Sequence, residues 1–199
     1  MSARLALAEI WLPKGTVIKE LLRVEGASNR ALDSVLTERV PTYRTPLLEP
    51  IEGGPESIRA RMAKGHRARV DILLKELGRE EGTRLGRRAV FEAGEELGRD
   101  ARARLRVGGG ARDIERAAKL LYRVLGIDIS ISISGDKGEM RVTRCSLSSH
   151  YSKDTCSVLS AMDAGMFRGL SPRIRMHFSQ SITSGSKECL AAIEMGEGT

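Results

Sequence analysis

The stretch that decides the fold lies at residues 76–105 and reads ELGREEGTRLGRRAVFEAGEELGRDARARL. Most of its residues favour helix, yet glycine recurs at steps of four, and only Val90 interrupts the series. The glycines of this series are Gly78, Gly82, Gly86, Gly94 and Gly98. Because each glycine inside a helix costs about 1 kcal/mol relative to alanine, we expect something to approach this backbone closely.

The direction of the glycine band predicts where that approach takes place. A four-residue step turns a helix by about 400°, so the band drifts by about 40° at each step. We therefore expect two short grooves, one from Gly78 to Gly86 and one around Gly94–Gly98. A neighbouring helix, a second subunit or a ligand could fill them. The alternative is a break near Gly86 that divides the stretch into two helices.

The elements around this stretch predict the fold class. Residues 55–126 are helical in pattern, and Gly126 stands where a helix C′ glycine belongs. Residues 127–134, IDISISIS, alternate strictly and predict a half-buried strand that begins a hairpin. A helix at 154–170 and a second hairpin at 173–195 follow. We predict an α+β fold with helices packed on one antiparallel sheet, built from two hairpins that flank a helix.

An N-terminal helical segment at 16–40 permits two interpretations. One is a helix-turn-helix that turns at Gly26 and reads DNA with the residues that follow, Ser28, Asn29 and Arg30. Asp33 and Glu38 make that second helix neutral, which suits phosphates poorly. An ordinary helical hairpin used for packing or dimerisation is therefore favoured.

A proline- and glycine-rich run, PTYRTPLLEPIEGGP, follows this segment and is typical of a linker. We predict an N-terminal helical extension at 1–54 and a ligand-binding domain at 55–199.

Charge and hydropathy narrow the functional classes. The formal net charge is +7, and the whole excess lies in residues 55–126. Such a surface can meet nucleic acid, but glutamates are interleaved with the arginines, which is typical of a solvated helix surface. Nucleic-acid binding is therefore not favoured. No apolar run approaches the length of about 18 residues that a membrane span needs, and no secretory signal is recognisable, so we expect a cytoplasmic protein.

Residues 70–195 resemble the V4R (vinyl-4-reductase-type) small-molecule-binding domain and the related L-2-amino-thiazoline-4-carboxylic acid hydrolase-like family. The resemblance rests on the glycine-spaced helix, on LLYRVLGIDISI before the first hairpin, and on the late hairpin ITSGSKECLAAIE. V4R domains share a fold with haem-dependent nitric-oxide sensors and with Bet3-type vesicle-tethering subunits. The resemblance implies a domain, commonly a homodimer, that encloses a mostly apolar pocket for a small organic molecule or hydrocarbon.

The sequence offers few aromatic residues to line such a pocket, because Phe, Trp and Tyr make up only 4% of the chain. We therefore expect aliphatic and methionine-rich walls. The candidate ligand-binding residues are Phe91, Tyr122, Met140, Met162, Met166, Phe167 and Met176. Trp11 lies outside the matched region and is a candidate dimer contact.

Zinc is a candidate cofactor, although the zinc ligands of related regulators are only partly present in this sequence. Phenol-sensing V4R regulators hold zinc through a Cys/Glu pattern, but two of the corresponding positions here are Ser181 and Phe178. That site is therefore not transferred to this chain. A different tetrahedral site would draw on Cys145, Cys156, Cys189, His150 and His177. The alternative is that Cys145 and Cys189 are small core residues.

A catalytic interpretation would use Cys145, Cys156, Asp163 and His150. A cysteine nucleophile needs a histidine that lowers the pKa of its thiol and acts as a base. Cys156 lies in the first turn of its predicted helix, where the positive end of the helix dipole favours a thiolate.

Three functions remain open. The leading hypothesis is a cytoplasmic sensor-type domain that binds a small, largely apolar ligand, with enzyme activity less favoured. The second is a hydrolase that acts on a C–N bond of a small substrate through the Cys/His/Asp set. The third is a ligand-responsive DNA-binding regulator that uses residues 16–40 as its reader.

Overall fold

A computed structural model describes residues 12–46 and 53–196. Over these residues the chain forms five α-helices and a four-stranded antiparallel sheet. The helices are α1 (Lys14–Arg39), α2 (Pro55–Leu77), α3 (Arg79–Leu105), α4 (Ala111–Val124) and α5 (Lys153–Leu170). The strands are β1 (Ile127–Ser134), β2 (Lys137–Cys145), β3 (Ile174–Gln180) and β4 (Cys189–Met195), with a 3₁₀ turn at Ile182–Ser184.

The sheet is built from two hairpins in the order β1-β2-β4-β3. Strand β4 pairs with β2, so that Met140 lies opposite Ala191, and both side chains are fully buried. Helices α4 and α5 cover this inward face with Tyr122 and Phe167, whose ring centroids are 6.5 Å apart. The other face carries exposed polar residues such as Arg141. The predicted α+β fold, with helices on one face of the sheet, is confirmed.

The chain turns between α2 and α3 at Gly78, where φ is +78°, a conformation that favours glycine. Helix α3 then runs without interruption through Gly86, which lies against the side chain of Val158. The expected alternative of a break near Gly86 is therefore wrong. The break falls at the first glycine of the series instead.

Two neighbouring helices fill the grooves that the glycines leave. In the first groove a Cβ on Gly82 would lie 2.7 Å from the carbonyl oxygen of Leu73 on α2. In the second groove α3 and α5 contact each other backbone to backbone. The facing pairs are Gly94 with Met162, Gly98 with Met166, Gly165 with Phe91, and Gly169 with Glu95.

A Cβ on any of the four paired glycines would lie less than 3.0 Å from the facing carbonyl oxygen, a distance that real Cβ atoms essentially never show. Residue numbers rise together along both helices in these pairs, so α3 and α5 run parallel. The expectation of a close backbone approach is confirmed, and the partner in each groove is a helix.

Helix α1 is continuous over 26 residues and passes straight through Gly26. Both expectations of a turn there, the helix-turn-helix and the helical hairpin, are wrong. Ser28 and Asn29, two of the three residues expected to contact DNA bases, are 0% and 6% exposed because this face of α1 packs on its neighbours. Residues 16–40 therefore do not form the helix-turn-helix on which the regulator hypothesis relies.

Helix α1 joins the same core as the elements that follow it. Leu32 and Leu36 pack with Val70 and Leu73 of α2 in one buried cluster. A buried ion pair connects the same two helices, since Arg69, which is 1% exposed, donates to both carboxylate oxygens of Asp33 at 2.7 and 3.0 Å. The helical part of the predicted extension thus lies directly against the predicted ligand-binding domain.

Carboxylates pair with many arginines of the basic segment. Within the described residues the pairs include Arg61 with Glu25, Arg84 with Glu81, Arg99 with Glu95, and Arg104 with Glu20. The pairs Arg84–Glu81 and Arg99–Glu95 lie within one helix and are typical of a solvated helix surface. The other two pairs join different helices and are less exposed. In the same part of the chain, no helix is both long enough and apolar enough to cross a membrane. Trp11, the candidate dimer contact, lies outside the described residues.

Candidate functional site

An interior cavity of about 530 Å³ lies between the helices and one end of the sheet. Its walls are mostly apolar, and all five helices and all four strands contribute to them. The wall residues include Val24, Met62, Leu121, Leu125, Val142, Leu159, Met162 and Met166. Exposed residues at the mouth include Lys153, Ser157, His177 and Gln180. A cavity of this size fits a small organic molecule.

A buried carboxyl group faces this cavity. Asp163, on α5, accepts a hydrogen bond from the Tyr122 hydroxyl at 2.8 Å. Burial raises the pKa of the Asp163 carboxyl to about 7, and the hydrogen bond from Tyr122 offsets only part of that shift. Asp163 nevertheless keeps some accessible surface, because it lines the cavity. Near neutral pH this carboxyl group is therefore divided between its acidic and ionised forms.

The three cysteines also line the cavity, and all are free thiols. Burial raises the pKa of the Cys145 thiol to about 11 and also raises the pKa values of the Cys156 and Cys189 thiols. The Cys189 sulfur accepts a hydrogen bond from the Ile182 backbone N–H at 3.3 Å. These thiols are protonated at neutral pH, so none of them is an activated nucleophile.

A hydrogen-bonded chain of three side chains leads from α1 to the cavity. The Ser28 hydroxyl lies 2.6 Å from Nε2 of His66, and Nδ1 of His66 lies 2.6 Å from the hydroxyl of Tyr151. Tyr151 precedes α5 and lines the cavity. Burial, with a contribution from the charge of Arg69, lowers the pKa of His66 to about 3. His66 is therefore a neutral imidazole that holds Tyr151 in place.

The structure brings together only part of the predicted catalytic set. Cys145, Cys156 and Asp163 meet at the cavity, whereas His150 does not line it. No histidine is recorded in a hydrogen bond with any of the three thiols in the described part of the chain. Two histidines line the cavity, His66 and His177. His66 is already bonded to Ser28 and Tyr151, and His177 is exposed at the mouth, so the described residues form no cysteine–histidine hydrogen bond of the kind that activates a nucleophile.

The predicted zinc set does not assemble either. Among residues 12–46 and 53–196, no group of three or more Cys, His, Asp or Glu side chains is placed to hold a metal ion. Cys145 ends β2, Cys189 begins β4 and Cys156 lies on α5, while His150 sits in the loop before α5 and His177 is exposed on β3. Cys145, Cys156, Cys189, His150 and His177 thus form no metal-binding group within the described residues, and a zinc cofactor stays a prediction.

The predicted ligand-binding residues divide into two groups. Tyr122, Met162 and Met166 line the cavity. Met140, Phe167 and Met176 are buried in the core between the helices and the sheet, and Phe91 packs beside α1 and α2. None of these last four lines the cavity as the described residues form it.

His66 and Tyr151 are site residues that the sequence analysis missed. His66 lies on the same face of α2 as Met62 and Val70, which are four residues before and after it. Both of those residues are fully buried. A histidine on a fully apolar helix face needs buried partners for its ring nitrogens. This spacing was the available signal, whereas Tyr151 stands in a polar loop that gives no such pattern.

The sequence of this chain matches a known protein family. A family model described as L-2-amino-thiazoline-4-carboxylic acid hydrolase matches residues 57–192. No curated protein matches the sequence.

Several solved structures share the fold at low sequence identity. The phenol-responsive sensory domain of the transcription activator PoxR, solved with phenol, is 16% identical over 83% of this chain and 89% of its own, with a TM-score of 0.53. A trafficking protein particle complex subunit 3 from Naegleria fowleri, covalently bound to palmitic acid, is 11% identical over 70% of this chain and 95% of its own, with a TM-score of 0.50. An H-NOX protein from S. oneidensis matches with 12% identity over 91% of this chain and 98% of its own, and a TM-score of 0.45. The first two likenesses agree with the expected V4R-like fold.

Proposed function

The chain belongs to the L-2-amino-thiazoline-4-carboxylic acid hydrolase family, and from that premise we propose that it is a sensor-type domain that binds a small, largely apolar organic molecule in its interior cavity. The observation that carries this proposal is the cavity itself, with a volume of about 530 Å³ and walls formed by aliphatic and methionine side chains. An apolar cavity of this size lowers stability unless something fills it.

The state of the ionisable groups supports binding over covalent catalysis. The thiols of Cys145, Cys156 and Cys189 have raised pKa values, and neutral His66 is committed to a structural chain. Two proteins with this fold were solved with an organic molecule bound, phenol in one and palmitic acid in the other. We carry over to this chain only the general idea of an enclosed organic ligand.

Titration with the neutral fluorescent probe N-phenyl-1-naphthylamine tests the proposal. We expect saturable binding of one probe per chain in the wild-type protein, and we expect Cys156→Trp to weaken it strongly, because the indole ring occupies part of the space in which the probe binds. Cys156→Ser is the matched control and should keep the affinity, because it changes the wall by a single atom. Equal binding to the tryptophan variant and the wild type would place the probe outside the cavity and contradict the proposal.

Hydrolysis of a C–N bond is a second candidate, and the Asp163 carboxyl group favours it. Its pKa of about 7 suits a general base that takes a proton from water and a general acid that returns it to the leaving nitrogen. In such a reaction the water oxygen bonds to the carbon, the C–N bond breaks, and no thiol takes part.

Incubation with L-2-amino-thiazoline-4-carboxylic acid separates the two candidates. A hydrolase of this kind would lose turnover by a factor of about 100 or more in Asp163→Asn. It would keep turnover in a variant with serine in place of Cys145, Cys156 and Cys189. A binding domain would show no turnover in any of these proteins.

We also propose that the protein is a cytoplasmic homodimer, as expected for this family. Native mass spectrometry of the purified full chain tests the dimer and reports any co-purified molecule in the same spectrum. A monomeric mass at micromolar concentration would contradict it.

A further inference from the structure

We propose that the polar end of the cavity presents hydrogen-bond acceptors and therefore selects ligands that carry an O–H or N–H donor. The acceptors are the hydroxyl oxygens of Tyr151 and Tyr122 and, in its ionised form, the carboxylate of Asp163. This inference rests on the proposed function, because it concerns the same cavity. It follows from the position of each proton in the two hydrogen-bonded chains.

Ser28 determines the first of these positions. Its hydroxyl lies 2.9 Å from the carbonyl oxygen of Val24 and 3.2 Å from that of Glu25, and it lies 2.6 Å from Nε2 of His66. A serine hydroxyl has one proton, and two carbonyl oxygens at these distances can only accept. If that proton pointed to His66, the serine oxygen would face both carbonyl oxygens with no hydrogen between them. The proton therefore goes to a carbonyl oxygen, and Nε2–H of His66 donates to Ser28.

This assignment fixes the tautomer of His66. A neutral imidazole carries one proton, so Nδ1 has only a lone pair when Nε2 is protonated. The Tyr151 hydroxyl, 2.6 Å from Nδ1, must then be the donor. Its single proton is used inside the protein, and the oxygen that lines the cavity offers only lone pairs.

The second chain ends in the same way. The Tyr122 hydroxyl donates its proton to Asp163 Oδ1 at 2.8 Å, so its oxygen also has only lone pairs left. Among the described residues, Asn29 Oδ1 is the only buried side-chain polar atom without a partner. The second carboxylate oxygen of Asp163 has no recorded partner either, so it must be accessible, and the cavity is the space that Asp163 lines.

The donors that line the same cavity include the hydroxyls of Ser148, Ser181 and Thr183 and the cations Arg87, Arg104 and Lys153, and none of them is among the groups that interact with Asp163. The groups recorded as interacting with Asp163 are Tyr122, Tyr151 and the thiols of Cys145, Cys156 and Cys189, and none of them is a cation. Thiols are weak donors. A ligand with a phenol, alcohol, amide or amine group can satisfy these acceptors, whereas an ether or ester of the same shape leaves them unpaired.

The tautomer can be tested without any ligand. His150→Gln with His177→Gln leaves His66 as the only histidine of the untagged chain, since the sequence contains three. Long-range ¹H–¹⁵N NMR on this variant should show a protonated Nε2 and an unprotonated Nδ1 at pH 7. A proton on Nδ1 would overturn the inference and leave the proposed function standing.

A matched pair of ligands tests the selectivity. We expect 1-naphthol to bind about fivefold more tightly than 1-methoxynaphthalene, although the ether carries the extra apolar methyl group. Tyr151→Phe should remove most of this difference by weakening 1-naphthol alone. Tyr43→Phe is the matched control, because Tyr43 bonds to Asp33 away from the cavity, and it should keep the wild-type ratio.

The outcomes of the ligand test are distinct. Equal or tighter binding of the ether to the wild-type protein overturns the inference and leaves the cavity as a binding site. Failure of both probes and of N-phenyl-1-naphthylamine to bind overturns the inference together with the proposed function.

Discussion

At the scale of single residues, His66 combines complete burial with a neutral ring. Its pKa in the folded protein is about 3, well below the value of about 6.5 in an unfolded chain. Between these two values the unfolded chain binds a proton that the folded chain does not. Stability therefore falls as the pH drops from about 6.5 towards 3.

We expect His66→Gln to lose this part of the acid sensitivity, which amounts to at most about 5 kcal/mol for a shift of this size. Urea unfolding of both proteins between pH 3 and 7 measures it. His150→Gln is the control and should keep the wild-type slope, since His150 has no part in the buried chain. If the stability of His66→Gln fell with pH as steeply as that of the wild type, His66 would not be the source of the acid sensitivity.

Asp163 has the opposite effect on stability. Its pKa rises from about 4 in an unfolded chain to about 7 in the folded protein, so the folded chain binds the extra proton. The contribution of Asp163 to stability is therefore greatest below about pH 4, falls as the pH rises to about 7, and then becomes constant, which opposes the contribution of His66 over the same range.

Asp163→Asn should remove this decline, which amounts to at most about 4 kcal/mol, and should make the protein more stable than the wild type above pH 7. Thermal unfolding from pH 4 to 9 measures the effect. Asp154→Asn, which changes an aspartate of the same helix that is paired with exposed Arg79, is the control. If the stability of Asp163→Asn declined with pH as much as that of the wild type, another group would be responsible for the decline.

Sequence could predict the position of the reactive side chains better than their chemical state. Cys156 and Asp163 are seven residues apart, a spacing that puts both on one face of a helix, and both line the cavity. The effect of burial on their pKa values depends on residues from other elements, such as Tyr122, and no local pattern reveals it. The chain through His66 joins α1 to the loop before α5, so it also depends on tertiary packing.

At the scale of whole elements, the parallel contact between α3 and α5 depends on glycine at both surfaces. Alanine at Gly94 or Gly98 would force a Cβ against a carbonyl oxygen, and the two helices would have to separate. Overpacking of this kind costs about 1–3 kcal/mol, which exceeds the gain of about 1 kcal/mol in helix propensity.

We expect Gly94→Ala with Gly98→Ala to lower the free energy of unfolding by about 2–4 kcal/mol. Gly15→Ala is the control, since a Cβ there meets nothing within 4 Å and Gly15 also lies in a helix. It should be neutral or slightly stabilising. Denaturant unfolding measures both. A double variant that melts higher than the wild type would contradict the close contact.

The elements show which sequence signals are reliable. The alternation in β1 and the glycine series in α3 predicted the sheet and the tight contact, because each pattern reports directly on a packed face. The partner series in α5, Gly165 and Gly169, has the same four-residue spacing and was not used. The prediction of a turn at Gly26 was wrong. A glycine fits both a turn and a helix interior, and here tertiary contacts favour the continuous helix.

At the scale of the whole molecule, α1 is part of the hydrophobic core. Leu21, Leu32 and Leu36 of α1 are fully buried, and Asp33 neutralises Arg69, a guanidinium that is only 1% exposed. Without α1, His66 would also lose its bond to Ser28. The predicted boundary between residues 54 and 55 therefore separates sequence segments that fold together.

We expect a chain of residues 55–199 to lack cooperative unfolding, whereas the full chain should unfold in one transition. Truncating one buried leucine costs about 2–5 kcal/mol, and an unpaired buried charge costs about 3–5 kcal/mol. For three leucines and one charge the sum is about 9–20 kcal/mol, which is as large as the total stability of about 5–15 kcal/mol that a domain of this size has. Leu22→Ala in the full chain is the control, because Leu22 is exposed on α1, and it should change little. Circular dichroism during urea titration measures all three proteins, and a cooperative transition in the shortened chain would show that residues 55–199 fold alone.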